Sequence, residues 1–431
     1  PITNTGSPEP RDPSHGGGTQ LTGSPEIPGR FSNMTQPYYD FCVAAGEPSG
    51  RDATGGGQHW DGCALYTCRL DSDGNVIRVV STTGLSSTAP GYLTVTRVRS
   101  GEQILYATSG EEISWFSIGD DGKVGLRGSA PTGSDSAAHL CTDSTARLLF
   151  TANYGSGTVS LLPIAEDGAL GEAKAYSQGS GAHDGAEGSW GEGPQFRQES
   201  AHPHGVIVCD GQLYVADLGT NQVVCWTIDF DNRTLRPASA ITLHDLAGPR
   251  HIQFTSSGEV GFVLNELDNT VCVLRRDSAE GGELSLVQTL SSLPQGWAEA
   301  HADPATFPNE VYSKPSHASE LLLSPDDRFV YASNRGHDSI AVFGIDAPDG
   351  KLTPLQFEPT RGRIPWVFCL SEDGRFVVVQ NNHTRAGETG PDSVVVFRRD
   401  EPTGLLNLSA ARLEFPTVSS VWALPRTIVL P

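Results

Sequence analysis

Short apolar segments alternate with polar turns along most of the chain, and their arrangement repeats. Each repeat has an apolar segment ending in a small or polar residue, a short loop, a second apolar segment, and an Asp-Gly or equivalent turn. GQLYVADLGTNQVVCWTI at 211–228 and RFVYASNRGHDSIAVFGI at 328–345 are two examples. Alternation over such short segments is typical of β-strands and indicates a succession of hairpins.

Seven copies of this repeat can be recognised, at residues 38–76, 102–124, 147–170, 211–235, 259–284, 328–352 and 375–406. Where nothing is inserted, successive copies lie 44 to 48 residues apart, as from Tyr106 to Phe150 or from Tyr214 to Phe262. A period in the forties with four short strands per unit is typical of propeller blades. The sequence therefore predicts an all-β fold, a single seven-bladed β-propeller domain over residues 31–431, in which 409–431 adds a last strand that helps to close the ring. Two stacked β-sandwiches are the alternative, but they would not produce one regular period.

Three segments fall outside the repeat. Residues 1–30 are rich in Pro, Gly, Ser and Thr, which favours a disordered leader. Two long inserts, at 173–201 and 289–318, are rich in Gly, Pro and acidic residues, and they contain Trp190, Phe196, Trp297, Phe307 and Tyr312. We expect these inserts to form a lid or rim, with plain surface loops as the alternative.

A further short strand precedes most copies, for example GVIVCD, RHIQFT and ELLLSP. We call this innermost strand A and the following strand B. Because A and B form an antiparallel hairpin, the start of A and the end of B lie at the same end of the blade. Residues at these positions, and both inserts, are therefore expected on one face of the propeller.

Chemically capable residues are concentrated at these positions. We predict a catalytic group of His202, Arg250, Glu266 and Arg335, with substrate-binding neighbours His204, His251, Asn153, Asn334, His337 and Trp366. Arginine can hold a carboxylate or phosphate through two parallel hydrogen bonds. Glu266 between arginines would stay ionised and could act as a base, or it could merely pair with Arg250.

The segment RQESAHPHG, at 197–205, contains two histidines around a proline. The unperturbed pKa of histidine lies close to neutrality, so we expect His202 to transfer a proton and His204 to be its structural neighbour. A metal site is disfavoured, because H-x-H continues into GVIV and no third ligand is obvious. No sequence motif for a nucleotide, a haem or a nucleophilic serine is present, so no cofactor is expected.

Composition narrows the range of partners. The net charge of −22 makes nucleic acids and anionic membranes unlikely binding partners, and no apolar run is long enough for a transmembrane helix. Of the eight cysteines, most lie within apolar strands and are expected to be buried; Cys42, Cys63 and Cys68 are the best candidates for any disulfide. Four N-x-[ST] sequons, at Asn33, Asn232, Asn382 and Asn407, favour a secreted glycoprotein over a cytoplasmic protein.

The segments RQESAHPHG, GQLYVADLGTNQV, GPRHIQF, FVLNELDNTV, ASELLLSPDDRF and YASNRGHDSIAVF resemble the seven-bladed propeller lactonase family. This family includes propeller-type 6-phosphogluconolactonases and the fungal 3-carboxy-cis,cis-muconate lactonising enzyme. The resemblance covers roughly residues 85–425 and implies a metal-free site. His202, Arg250, Glu266 and Arg335 match the histidine, two arginines and glutamate of the site proposed for the muconate lactonising enzyme.

The resemblance implies a lactonase that acts on the lactone of a sugar acid or an aromatic-derived acid. One alternative is a lactonising muconate cyclase, since lactone hydrolysis and lactone formation would use the same four groups. The other alternative is a non-catalytic binding propeller. The expected partner is a small lactone or anionic molecule.

Overall fold

The computed structural model describes residues 38–51, 58–85, 90–178, 197–278, 281–301, 315–346, 348–383 and 390–424. All of them belong to one compact unit, Pro37–Pro431. They form seven sheets of four antiparallel strands each, which confirms the predicted seven-bladed β-propeller. The expected leader, residues 1–30, lies outside the described residues.

The blades follow one another along the chain. Three strands of blade 1 come first: β1 (Tyr38–Arg51), β2 (Gln58–Asp71) and β3 (Ile77–Gly84). Blade 2 consists of β4 (Leu93–Arg97), β5 (Gln103–Ser109), β6 (Glu112–Ile118) and β7 (Val124–Pro131). Blade 3 consists of β8 (Ala137–Thr142), β9 (Leu148–Asn153), β10 (Thr158–Pro163) and β11 (Lys174–Ser177). Blade 4 consists of β12 (Pro203–Cys209), β13 (Gln212–Asp217), β14 (Gln222–Asp229) and β15 (Thr234–Thr242).

The second half of the chain continues the same pattern. Blade 5 consists of β16 (Pro249–Phe254), β17 (Val260–Asn265), β18 (Thr270–Asp277) and β19 (Glu283–Ser291), and is followed by the short helix α1 (Trp297–Ala300). Blade 6 consists of β20 (His317–Leu323), β21 (Phe329–Arg335), β22 (Ser339–Asp346) and β23 (Lys351–Pro359). Blade 7 consists of β24 (Pro365–Leu370), β25 (Phe376–Asn381), β26 (Asp392–Arg399) and β27 (Leu406–Phe415), and the last strand is β28 (Val418–Leu424).

The ring is closed by the two ends of the described chain. Strand β28 pairs with β1 and thereby becomes the fourth strand of blade 1. The prediction that 409–431 supplies one closing strand was too coarse, because 409–415 completes β27 of blade 7 and only β28 closes the ring. One strand from each blade contacts its counterparts in the neighbouring blades all the way round, so strand A is innermost as expected; in blade 1 this strand is β28.

The hydrophobic core lies between blades, because each thin sheet buries both of its faces against its neighbours. One such layer joins Tyr214 and Cys225 of blade 4 to Ile252 and Cys272 of blade 5. Tyrosines on three B strands also bridge blades through their hydroxyl groups, which donate to backbone oxygens in the next blade: Tyr106 to Gly168 at 2.9 Å, Tyr214 to Gly282 at 2.8 Å, and Tyr331 to Gly404 at 2.9 Å. The aromatic ring of each tyrosine is thus buried while its hydroxyl group keeps a hydrogen-bond partner.

All eight cysteines have free thiols. The best candidates for any disulfide, Cys42, Cys63 and Cys68, are therefore thiols here, and all three are buried. The strand register explains part of this result, since Cys42 lies opposite Thr67 and Cys68 lies opposite Phe41. Neighbouring residues of a strand face opposite sides of the sheet, so Cys42 packs toward blade 2 and Cys68 packs toward blade 7.

The inserts are shorter than the sequence suggests. Residues 174–177 form β11, residues 289–291 complete β19, and residues 317 and 318 begin β20. Of the five insert aromatics, Trp297 lies on α1, whereas Trp190, Phe196, Phe307 and Tyr312 lie outside the described residues. Among the described helices, none combines the length and apolar character required to cross a membrane.

The sequons differ in accessibility. Asn232 and Asn407 are exposed, whereas Asn382 is fully buried and its amide donates to the backbone oxygen of Val418 at 3.2 Å. A glycan at Asn382 is incompatible with this packing. Asn33 lies outside the described residues.

Candidate active site

β-bulges occur at the start of six innermost strands, and they aim side chains away from the regular ladder. The pairing register shifts at Pro203/Gly205, at Pro249/His251 and at Pro365/Phe368, with similar shifts at the starts of β8, β20 and β28. A bulge leaves an extra residue without a direct partner and re-aims its side chain. His204, Arg250 and Trp366 lie within the bulges of β12, β16 and β24. A β-bulge therefore orients three of the predicted site residues.

A buried Asn or Asp lies at the end of strand B in five blades: Asn153, Asp217, Asn265 and Asn381 are the last residues of their strands, and Asn334 is the last but one of β21. Asn153, Asp217 and Asn265 bond to the residues that follow them, whereas Asn334 and Asn381 bond to the segment that precedes strand A of their own blade. Asn153 donates to Thr158 at 3.0 Å and to Ser160 at 2.9 Å, while Asn334 donates to the backbone oxygen of Ser292 at 2.8 Å. The amide hydrogens of Asn153 and Asn334 are thus engaged within the protein, and both residues are fully buried. Their predicted contact with substrate stays a prediction.

The residue after this buried Asn enters the site in three blades. Tyr154 follows Asn153, Glu266 follows Asn265, and Arg335 follows Asn334. Gly336, next in the chain, has φ of +106°, and a Cβ there would lie 2.0 Å from the backbone oxygen of Pro315. Only glycine fits this turn without strain, and the turn holds Arg335 in place.

Glu266 lies at the centre of the site and binds three arginines. One of its oxygens is 2.6 Å from Arg197 and 2.7 Å from Arg335, and the other is 2.9 Å from Arg250. Burial alone would raise the pKa of Glu266, but the charges of Arg197, Arg335 and Arg250 hold that pKa well below its usual value. We call Glu266, Arg197, Arg250 and Arg335 together the arginine cluster. It carries more positive than negative charge.

The arginines have further partners. Arg335 donates to the backbone oxygens of His317 at 3.2 Å and Ala318 at 3.0 Å, and its guanidinium lies 4.4 Å from the ring centre of Trp366. Arg250 donates to the backbone oxygen of Ser319 at 2.6 Å, and burial lowers its pKa to about 10. The partly buried ring of Trp366, a residue predicted to bind substrate, lies next to the guanidinium groups of both Arg250 and Arg335.

His202 is held at the edge of the same group. Its ring stacks on Tyr154 with centroids 4.5 Å apart, and its Nδ1 lies 2.8 Å from the backbone oxygen of Tyr154. Since that oxygen can only accept, Nδ1 carries a hydrogen. Nε2 lies 2.9 Å from the carboxylate of Glu199, whose side chain is 49% exposed.

The other predicted histidines have different surroundings. His204 is buried, its Nε2 lies 3.9 Å from Glu266, and no partner for its Nδ1 is found among the described residues. Burial, with Arg250 adding to it, lowers the pKa of His204 well below its usual value, so this ring is neutral.

His251, predicted to bind substrate, contacts protein groups through both ring nitrogens: Arg250 at 3.1 Å and Glu320 at 2.6 Å. His337 lies apart from the arginine cluster, with its Nδ1 2.6 Å from Ser339 and its ring edge-on to Trp297 at 4.9 Å. It therefore lies against the second insert rather than beside Glu266.

Four residues in this neighbourhood were missing from the predicted set: Arg197, Tyr154, Glu199 and Glu320. Arg197 and Glu199 belong to the segment RQESAHPHG, but they precede the strand and so carry no periodic signal. Tyr154 and Glu320 are different, because the strand pattern places both on this face, at the end of a strand B and at the start of a strand A, without assigning either a role. Within the described ranges, no three His, Cys, Asp or Glu side chains are grouped in a way that could hold a metal ion.

Comparison with known proteins gives a consistent match. Residues 54–423 match the model of a family described as lactonase, 7-bladed beta-propeller. A 6-phosphogluconolactonase of Bacillus subtilis (strain 168) is 31% identical over 283 residues, which make up 65% of this chain and 71% of the relative. A 6-phosphogluconolactonase of Formosa agariphila is 28% identical over 286 residues, or 64% of this chain and 70% of the relative.

Solved structures show the same architecture. A periplasmic gluconolactonase of Pseudomonas aeruginosa superimposes with a TM-score of 0.71 at 23% identity, covering 90% of this chain and 100% of its own. A putative 6-phosphogluconolactonase of Bacteroides fragilis NCTC 9343 gives a TM-score of 0.70 at 24% identity, covering 92% and 100%. At these identities the two structures establish the likeness of fold.

Proposed function

Because the chain belongs to the seven-bladed β-propeller lactonase family, we propose that it hydrolyses the lactone of a small sugar acid or related carboxylic acid. The reaction takes place where Glu266, Arg197, Arg250 and Arg335 meet, and it requires no metal ion. Relatives named 6-phosphogluconolactonase support a lactone as the substrate.

The observation that carries this proposal is the excess of positive charge at the site. Three guanidinium groups surround a single carboxylate, and the side chains of Arg250 and Arg335 are only 3% and 2% exposed. Buried charges are expensive unless they are paired. A substrate that brings a carboxylate or phosphate, or that develops an oxyanion, would supply the missing negative charge.

Lactone hydrolysis needs such a charge partner. The oxygen of water bonds to the carbonyl carbon, the carbonyl oxygen becomes negative, and the ring C–O bond then breaks to give a hydroxyl group and a carboxylic acid. Preorganised donors facing the developing oxyanion lower the barrier, commonly by several kcal/mol. Arg197 and Trp366, both partly exposed, mark the side from which a substrate reaches these donors.

Proton transfer is assigned to His202. The bond from Nδ1 to Tyr154 fixes the ring, which leaves Nε2 as the nitrogen that takes up or releases a proton, with Glu199 beside it. A histidine oriented in this way by one nitrogen and reactive at the other fits general acid–base catalysis. Glu266 is a poor base, because its lowered pKa makes it reluctant to accept a proton; its role is to hold the arginines together.

The experiment is a proton-release assay with aldono-, phosphoglucono- and muconolactones, each with and without a chelator. We expect rapid opening of at least one lactone that carries an anionic group, with no change on addition of the chelator. His202→Asn should abolish that turnover, whereas His244→Asn, which removes an exposed histidine elsewhere, should not. If no lactone is opened while one still raises the melting temperature, the protein is a binding propeller; formation of a lactone from a muconate would instead identify a cyclase.

A further inference from the structure

A second buried carboxylate lies behind the arginine cluster. Glu320, fully buried, is bulged at the start of β20, and its Oε1 is 2.6 Å from Nδ1 of His251. The same oxygen accepts the backbone N–H of Leu321 at 3.0 Å. The proposed hydrolysis does not use this carboxylate directly, so its contacts call for another explanation.

The hydrogen bonds around His251 have only one consistent direction. Nη1 of Arg250 lies 3.1 Å from Nε2 of His251. A guanidinium can only donate, so Nε2 must be the acceptor and the ring hydrogen must be on Nδ1. Nδ1 then donates to Glu320, which fixes the tautomer of the ring.

The orientation of Arg250 depends on this tautomer. Its Nε donates to Glu266 at 2.9 Å, and its Nη1 is shared between the backbone oxygen of Ser319 and the ring of His251. In the other tautomer an N–H of His251 would point at an N–H of Arg250, and the two donors would repel each other. Loss of this acceptor would remove one of the three hydrogen bonds that orient Arg250.

Burial and neighbouring charges set the protonation of both His251 and Glu320. Burial lowers the pKa of His251 well below its usual value, with the charge of Arg250 adding to the effect, so the ring stays neutral. Burial also raises the pKa of Glu320 to about 7. The titratable groups whose charges act on Glu320, or on which its own charge acts, come from four blades: Tyr92, His139, Arg250, His251 and Cys369.

We propose that Glu320 is a positioning residue that acts through His251: by accepting the Nδ1 hydrogen it selects the tautomer that holds Arg250 against Glu266. The required property of Glu320 is an acceptor oxygen at this point rather than a negative charge. The effect on turnover rests on the proposed lactonase function, whereas the tautomer of His251 does not.

Two substitutions of Glu320 test whether its acceptor oxygen or its negative charge is required. Glu320→Gln keeps an oxygen that can accept from both His251 and Leu321, so kcat/KM should stay within about threefold of the wild-type value. Glu320→Leu removes the acceptor and should lower kcat/KM about tenfold or more, as loss of a group that orients a functional side chain commonly does. His251→Phe should cause a similar loss, and the double variant should lose no more than either single variant, because both act through one contact.

The tautomer is measured separately by ¹⁵N NMR of the imidazole rings, assigned with His251→Phe. We expect the hydrogen on Nδ1 in the wild type and in Glu320→Gln, and its loss from that nitrogen in Glu320→Leu. Asp268→Asn, which removes the carboxylate paired with the exposed His244, serves as the control and should change neither readout.

The proposal is overturned if His251 carries its hydrogen on Nε2 in the wild type, or if Glu320→Leu turns over substrate at the wild-type rate. Failure of the proposed function looks different: the wild type would open no lactone, while the NMR result would stand. Thermal melts of all variants show whether any loss of turnover comes from unfolding.

Discussion

At the scale of single residues, the central finding is that one carboxylate is held by three arginines. Glu266 is 1% exposed, and each of its neighbours Arg197, Arg250 and Arg335 lies within 3 Å of one of its oxygens. The sequence alone suggests that Glu266 is a base or a simple ion-pair partner. Its geometry instead makes it the common anchor of the cluster, a role that depends on its charge remaining in place.

Replacing Glu266 by Gln should therefore destabilise the protein as well as inactivate it. The substitution leaves three guanidinium groups, two of them deeply buried, without their counter-charge. Breaking a buried ion pair by removing one partner costs about 3–5 kcal/mol, so we expect a clear fall in the melting temperature measured by circular dichroism. Glu199→Gln removes a half-exposed carboxylate from the same site, and it should melt close to the wild type. An unchanged melting temperature for Glu266→Gln would contradict the anchoring role.

Arg197 is the most accessible of the three arginines, with 23% of its side chain exposed. We expect Arg197→Gln to raise KM for a lactone that carries a carboxylate or phosphate by about tenfold, since a hydrogen bond to a charged group contributes about 1.5–3 kcal/mol. KM for a neutral lactone should change much less. Arg127→Gln, which breaks a surface pair with Glu102, is the matched control. Equal effects on charged and neutral lactones would show that Arg197 does not contact the anionic group.

Glu320 gives a pH dependence of stability whose sign can be worked out. Burial raises the pKa of Glu320 from 4.5 to about 7. The folded state therefore binds this proton more tightly than the unfolded state, and the resulting stability is fully present below the unfolded pKa and is lost as the pH rises through about 7. Glu320→Gln resembles the protonated form, so its melting temperature should exceed that of the wild type by a few degrees near pH 8 and match it near pH 4. An offset that is the same at both pH values would argue against this titration.

At the scale of elements, the sequence predicts the strands well and the bulges poorly. Strand segments such as LYVAD and FVLNE carry a clear apolar signal, and the order of strands within a blade follows from the repeat. The bulges at Pro203/Gly205 and Pro249/His251 depend on how neighbouring blades pack, which no local pattern contains. For the same reason the sequence could not show that the ring of His251 contacts Glu320, and it missed Arg197, whose contacts lie on Tyr154 and Glu266 of two other blades.

A close approach of two backbones near His202 offers a test at this scale. A Cβ on Gly219 would lie 1.8 Å from the backbone oxygen of Ser200 and 2.9 Å from the ring of His202. Gly219→Ala must therefore displace the segment that carries His202, and we expect kcat to fall about tenfold or more, since small displacements of catalytic groups are costly. Gly84→Ala, where a Cβ meets nothing within 4 Å, should have wild-type activity. Normal turnover by Gly219→Ala would show that the position of His202 is not critical.

At the scale of the whole molecule, the ring depends on one strand from the far end of the chain. Strand β28 pairs with β1 from Asp40↔Leu424 to Ala45↔Val418, and it also packs against β24 and β4 of the adjoining blades. Without it, β1 would present an unpaired edge and the apolar residues Phe41 and Val43 would lose their cover. The site draws on blades 3 to 7, so its geometry requires a closed ring even though β28 contributes none of the arginines.

Ending the chain after Phe415 should therefore abolish both stability and activity. The truncated chain loses β28 but keeps every residue of the arginine cluster, so any loss of turnover reports on ring closure rather than on missing chemistry. We expect aggregation or a broad, non-cooperative melt, measured by size-exclusion chromatography and circular dichroism, because blades are stabilised chiefly by their neighbours. A chain ending after Leu424, which retains all described strands, should behave as the wild type. A soluble, active and cooperatively melting product after truncation at Phe415 would mean that six complete blades and an open seventh suffice to hold Glu266 and its arginines.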